Sequence, residues 1–170
     1  MGSRVISMLS AAGTAVTASS TETVGSYIAI PAGTFANGKQ VRMNGHVRAT
    51  ATNSTDTLTV KAYSHTAAAI ASGTELATSG AVDAANDDVV TCELVFSPRS
   101  AAGSTSGSIV VSGFLSAVGA EGTVTLRAVH QVLSSIDFTA VQYIGLPLKW
   151  STTNSGNSAQ VEELDAIEIW

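Results

Sequence analysis

Apolar and polar residues alternate with period two along most of the chain, and the 3.6-residue repeat of an amphipathic helix hardly occurs. The clearest run spans residues 39–51. Val41, Met43, Val47, Ala49 and Ala51 fall on one face with Gly45 in step, and Arg42, Asn44, His46, Arg48 and Thr50 fall on the other. That pattern predicts a strand buried on one side and wet on the other. Similar runs predict strands at 24–30, 57–63, 89–96, 108–118, 122–132, 146–151 and 160–170. Leu58, Val60 and Ala62 mark one inner face, and Val90, Cys92, Leu94 and Phe96 another. Turn signals fall between the runs, at Pro31-Ala32-Gly33, Asn53-Ser54-Thr55-Asp56, Gly119-Ala120-Glu121-Gly122 and Asn154-Ser155-Gly156-Asn157. Spacing predicts a hairpin between 39–51 and 57–63, and a second between 108–118 and 122–132. Residues 67–85, rich in Ala and holding Gly73 and Gly80, read as a long surface loop, with a short helix at 67–71 as the alternative. Residues 97–107 read as a flexible connection, and Pro147 predicts an edge strand or an irregular strand start.

Eight or nine short strands at regular spacing predict an all-β fold, an antiparallel β-sandwich of the jelly-roll kind. A length of 170 residues with no internal repeat predicts one domain over residues 21–170, preceded by an extended N-terminal arm or first strand at 1–20. In an oligomer such an arm is placed to lie along a neighbouring subunit. The arm has the outline of a secretory signal, but Ser7, Ser10, Gly13 and Thr14 interrupt its apolar stretch. Ile6 stands where a myristoylation motif needs Ser or Thr. The sequon Asn53-Ser54-Thr55 carries no weight in a chain this rich in Ser and Thr.

Composition narrows the function classes. Charged residues are 12% of the chain and aromatic residues 5%, whereas roughly half of all positions are Ala, Gly, Ser or Thr. Mean hydropathy is +0.28 and the net charge −5, too apolar and too weakly charged for a disordered chain. A pI near 5.0 argues against nucleic acid as a partner. Cys92 is the single cysteine, so no disulfide scaffold exists. No run of about eighteen apolar residues occurs, so no helical membrane span is expected. Soluble monomers usually present about 25–35% charged residues at the surface. A chain this poor in charge is solvated by hydroxyls and amides, or covers part of its surface with other chains.

Candidate chemistry is sparse, and neither a catalytic site nor a cofactor is expected. His46, His65 and His130 are dispersed, with no HxH, HxxxH or CxxC pair to seed a metal site. Cys92 falls on an apolar strand face, the place of a small buried hydrophobe rather than a nucleophile. GxSxG does not occur. Asp83, Asp87 and Asp88 could gather calcium oxygens, and Glu162, Glu163 and Asp165 form a second acidic group. Neither has EF-hand spacing, nor a surround of sugar-stacking aromatics. Lys39, Arg42, His46 and Arg48 make a basic stripe in an acidic protein, holding three of the eight Lys and Arg residues. It reads either as the wet face of a strand or, together with Arg4, as a contact for carboxylates on a partner or on another copy.

The C-terminal segment LPLKWSTTNSGNSAQVEELDAIEIW resembles the last strands of small virion proteins of tailed bacteriophages: a Trp-Ser strand end, an Asn/Ser/Gly turn, an NSA step and a terminal strand. TDTLTVKAY followed by an Ala/Gly loop resembles another strand of the same group. The resemblance implies a jelly-roll-like capsid decoration (cement) protein. It is expected in the virion after assembly in the host cytoplasm, commonly as a trimer, with the major capsid protein as partner. A tail, neck or fibre-associated adaptor is the first alternative. The second is a carbohydrate-binding or adhesin module, which predicts an exposed aromatic platform drawn from Tyr27, Tyr63, Tyr143, Trp150 and Trp170.

Overall fold

The structure, a computed structural model, describes residues 2–51, 55–68, 73–84, 88–118 and 124–170. The strands are β1 (Ser3–Met8), β2 (Val16–Thr17), β3 (Thr23–Ile30), β4 (Gln40–Thr50), β5 (Thr57–His65), β6 (Thr74–Asp83), β7 (Asp88–Pro98), β8 (Gly107–Val118), β9 (Val124–Ile136), β10 (Gln142–Trp150) and β11 (Ser158–Ile169). They form two antiparallel sheets. The larger runs β1-β11-β4-β7-β8-β9, with β2 also on β11, and the smaller runs β3-β10-β5-β6. Take away β2, β8 and β9, and the two orders that remain, β1-β11-β4-β7 and β3-β10-β5-β6, are those of an eight-stranded jelly roll. The β8–β9 hairpin is thus an addition that widens one sheet past the other.

The alternation read from residues 39–51 is realised in β4, where Val41, Met43, Val47 and Ala49 are buried in the core. Trp150, Phe96, Phe138, Ile30, Leu94 and Leu146 fill the space between the sheets. Small residues let the layers close up: a Cβ on Gly45 would stand 2.8 Å from Leu146 Cδ1 on the facing sheet. The turn at 154–157 forms as expected, with Asn157 N–H donating to the Asn154 carbonyl. Asn157 is fully buried and donates from Nδ2 to the buried Asp56 carboxylate at 2.9 Å, which pins the β10–β11 connection to the start of β5.

Three local expectations are corrected. β4 and β5 do not form a hairpin: β4 lies between β11 and β7, and β5 lies in the other sheet between β10 and β6. The connection crosses between layers, as jelly-roll strands do.

Residues 67–85 are not one loop, because β6 occupies Thr74–Asp83. Its alternation is hidden by two irregularities in the ladder to β5, between Thr59 and Lys61 and between Ala62 and Tyr63. They leave Leu76 and Ala77 consecutively buried. Ser79 fills the break, accepting from Val60 N–H and donating to the Gly80 carbonyl. Residues 69–72, which include the end of the alternative helix, lie outside the described residues, as does the turn at 119–122.

Pro147 does not mark an edge, since β10 is paired on both sides. The missing N–H falls at a bulge, where the ladder to β3 steps from Ser26 to Val24.

The N-terminal segment enters the sandwich of its own chain. β1 is an edge strand on β11, and β2 adds two residues to the same partner. Glu168 locks β1 in place. Its side chain is 1% exposed and takes Arg4 Nη2 and Lys39 Nζ at 2.6 Å each. Burial pushes this carboxyl up, but the two cations outweigh it and hold it below the usual glutamate value. A carboxyl lowered in the folded state stabilises above its unfolded value and loses that contribution as pH falls through the folded one. Amide hydrogen exchange is therefore expected to show β1 losing protection first on acidification below about pH 4.5. Glu168→Gln should lose about 1–2 kcal/mol at neutral pH, reduced by the exposure of Arg4, and flatten the acid response. Equal acid sensitivity in the variant would refute the lock.

Candidate interaction surface

The outer face of the large sheet divides into two unlike halves. On β4 and β11 it is charged and internally paired. Arg42 contacts Glu93 on β7, His46 Nδ1 meets Glu163 at 2.9 Å, and Arg48 Nε meets Glu162 at 2.9 Å. Asn44 donates to Asp165 between them. These follow from register, since His46 lies opposite Glu163 and Asn44 opposite Asp165. The structure splits the basic set. Arg42, His46 and Arg48 share the outer face, while Lys39 and Arg4 converge on Glu168, whose neighbours Leu164 and Ala166 face the core. Each of the five has a carboxylate partner within the chain, so a partner's carboxylate would have to displace one already seated.

The other half is the added hairpin. Its 25 strand residues hold one Asp, Glu, Lys or Arg, which is Arg127. Opposed pairs Ile109 with Leu133 and Leu115 with Arg127 set the inner face. The outer face then carries Val124, Leu126, Ala128, His130 and Val132 from β9, opposite Val118, Ser116, Phe114, Ser112 and Val110 from β8. Val124, Leu126 and Val132 are 62%, 63% and 60% exposed. β9 ends the strand order, so one side of its thirteen-residue backbone has no ladder partner among the described residues. Long apolar edges of this kind are normally shortened, charged or covered. Gln131 turns inward and donates to the Glu75 and Leu76 carbonyls of β6, holding the hairpin at a fixed angle over the smaller sheet.

The period-two pattern predicts the strand β9 but not which of its faces is buried. Its apolar positions 124, 126 and 132 face out, and its polar positions Thr125, Arg127 and Gln131 face in. The readable signal was a strand with apolar residues on both alternations and almost no charge.

Cys92 is buried, and burial pushes its thiol up to about 12. Among the described residues no cluster of three or more His, Cys, Asp or Glu could hold a metal ion. Asp83 ends β6 and Asp88 begins β7, while Asp87 lies outside the described residues. Of the aromatic candidates, Trp150 is fully buried and cannot contribute to a platform. Trp170 is half exposed and pairs its backbone with Gly2, and the three tyrosines gather on the smaller sheet.

The chain is a jelly-roll β-sandwich. Its sequence matches no protein-family model and no curated protein. Solved structures to which it is similar include lectin II from Ulex europaeus, at 9% identity and TM-score 0.44, covering 99% of this chain and 93% of that one. A chain of infectious bursal disease virus, Gx strain, is 18% identical at TM-score 0.35, covering 98% of this chain. The sandwich spans only 32% of that viral chain. The CBM2 module of the evolved Dit of Lactobacillus casei BL23 phage J-1 is 9% identical at TM-score 0.29, covering 83% of this chain and 68% of that module.

Proposed function

We propose that this protein is a non-enzymatic structural component of a virion, a decoration protein that assembles as a trimer and binds the major capsid protein lattice. The observation that carries the reading is the β8–β9 hairpin: an outward face without Asp, Glu, Lys or Arg, on which Val124, Leu126 and Val132 are exposed, ending in a thirteen-residue edge with no ladder partner among the described residues. Apolar surface of this kind is buried in assembly, and an open edge accepts a further strand. Three copies packed about these faces would cover Val124, Leu126 and Val132, leaving the ion-paired half of the sheet in water. The low charge of the chain and the phage-like C-terminal strands support the same reading.

Light scattering on the purified chain is expected to give about 52 kDa, three chains of 17.2 kDa. Leu126→Lys combined with Val132→Lys places like charges against one another in that interface. Association should weaken by about a hundredfold or more while the melting temperature of the monomer holds. Electron microscopy of the native particle should show many copies on the capsid exterior. A monomeric wild-type chain, or a capsid without it, would overturn the proposal, and a few copies at the tail or neck would replace decoration with an adaptor role.

A further inference from the structure

Beside the apolar face of the hairpin lie a free backbone edge and a single charge. β9 has no ladder partner on one side among the described residues, and there every second residue turns its N–H and C=O to solvent. A groove of about 370 Å³ runs between residues 127–131 of β9 and residues 75–78 of β6. Among the described residues none from β8 lines it, so it opens on the free side of β9. β6 has its own acceptors engaged in this stretch. Gln131 donates to the Glu75 and Leu76 carbonyls, and Ser79 to the Gly80 carbonyl.

The charge is Arg127. A Cβ on Gly80 would stand 3.3 Å from its Nη2 and 3.8 Å from its Cζ, so the guanidinium packs against a residue that offers no side chain. Arg127 is exposed, and its guanidinium makes no ion pair or hydrogen bond among the described residues. Arg4, Lys39, Arg42, Arg48 and Lys61, in contrast, each hold a carboxylate of the same chain. Glu75, the one carboxylate in the groove lining, is taken by Lys61 Nζ at 3.0 Å. The groove therefore carries an uncompensated positive charge in a chain whose net charge is −5.

We infer that the free edge of β9 is completed by an extended strand of another protein, whose inward row carries an Asp or Glu paired with Arg127 and whose outward row is apolar. The inference rests on the assembly reading above and names the chemistry of the strand that the edge accepts. An added strand alternates its side chains in phase with β9. One row then extends the surface of Val124, Leu126 and Val132, and the other enters the groove. Residues directly opposite across a ladder stand about 5 Å apart between Cβ atoms, within reach of a two-pronged Arg–carboxylate pair. A basic residue in the same place would meet the guanidinium at that distance and be repelled. The edges of a second copy do not supply the carboxylate. β1 has Arg4 as its only charge, and β3 has none. β6 carries Glu75 and Asp83, but Gln131 already occupies two of its carbonyls.

The test uses an acetylated, amidated peptide, TVTVEVTVT, whose Glu falls in the polar row. A second peptide has Lys in its place, and a third keeps the Glu but has Pro for the two Val beside it, which removes ladder donors. Fluorescence anisotropy gives affinity, and amide hydrogen exchange locates the contact. The Glu peptide should bind with a Kd of about 1 mM or tighter and protect the β9 amides that point to the free side. The Lys peptide should bind about fivefold or more weakly, and the Pro peptide not measurably. Arg127→Glu should invert the order of the Glu and Lys peptides, and Arg127→Gln should bring them within about twofold. Both variants should keep the wild-type melting temperature, because the side chain is exposed. No binding of the Glu peptide, equal affinity for the two charges, undiminished binding of the Pro peptide, or an order unchanged by Arg127→Glu would each overturn the inference. So would protection on β1 or β3 instead. β9 amides already protected without peptide would assign the edge to a second copy and overturn it as well. Light scattering on the same samples separates the two proposals. A trimer that ignores the Glu peptide keeps the assembly and loses this strand, whereas a monomer that binds it keeps the strand and loses the trimer.

Discussion

Gly113→Ala is expected to abolish the cooperative fold, although it adds one methyl group to a strand rich in small residues. Gly113 lies in β8 between β7 and β9, opposite Leu94 on one side and Val129 on the other. Its φ is +146°, a backbone conformation closed to residues with a side chain. A Cβ there would overlap the Glu93 carbonyl oxygen and stand 2.9 Å from Leu94 Cα. Both obstacles are backbone, held by ladders on either side, so no rotamer change relieves them. The cost should reach about 4 kcal/mol or more, seen as insoluble expression or the loss of a urea transition. Gly33→Ala is the control. It shares a positive φ but would meet nothing within 4 Å, so only the backbone penalty of about 1–2 kcal/mol should remain. Equal stability of the two variants would refute the close approach of β7 and β8 at this point.

Trp150→Ala should produce the next largest loss. The indole is fully buried, its Nε1–H donates to the Val16 carbonyl, and the Trp150 amide donates to Ser19. One residue therefore fills the core and ties the segment around β2 to the smaller sheet. Removing the ring should cost about 3–5 kcal/mol, or roughly 10–15 °C of melting temperature for a domain of this size. Trp150→Phe keeps most of the volume but leaves the Val16 carbonyl unpaired, at about 1–3 kcal/mol. Chemical denaturation followed by circular dichroism ranks the two. Fluorescence gives an independent check, because the alanine variant retains only the half-exposed Trp170 and should emit further to the red. A phenylalanine variant as unstable as the alanine one would shift the main contribution from packing to the hydrogen bond.

These positions also show what local pattern can and cannot carry. β4 was legible because each residue answers to one demand, core or water, for eleven residues without a bulge. β6 was not, because irregularities opposite Thr59 and Ala62 shift its inward positions out of phase, and a two-residue period loses its meaning there. Pro147 lacks the ladder donor that an interior strand normally needs, and a bulge removes that objection. The supposed β4–β5 hairpin failed for another reason. Which strands pair across a jelly roll is set by contacts far apart in sequence, as with Arg4 and Glu168. The basic stripe was visible as charge, but its carboxylate partners lie on β11 and β7, at sequence distances no spacing rule reaches. The three tyrosines come from β3, β5 and β10, and only the register of the smaller sheet gathers them.

The ladder from β1 to β9 has a mechanical meaning. Hydrogen bonds in antiparallel ladders lie across the strands, so a pull along β9 loads the whole β8–β9 ladder in shear, whereas a pull away from the sheet opens it one pair at a time. Gln131 and the inward contacts with β6 oppose that second, peeling mode. A subunit gripped by this edge would therefore resist sliding far better than lifting. The direction in which a neighbour pulls, more than the area it covers, would set how long the grip lasts.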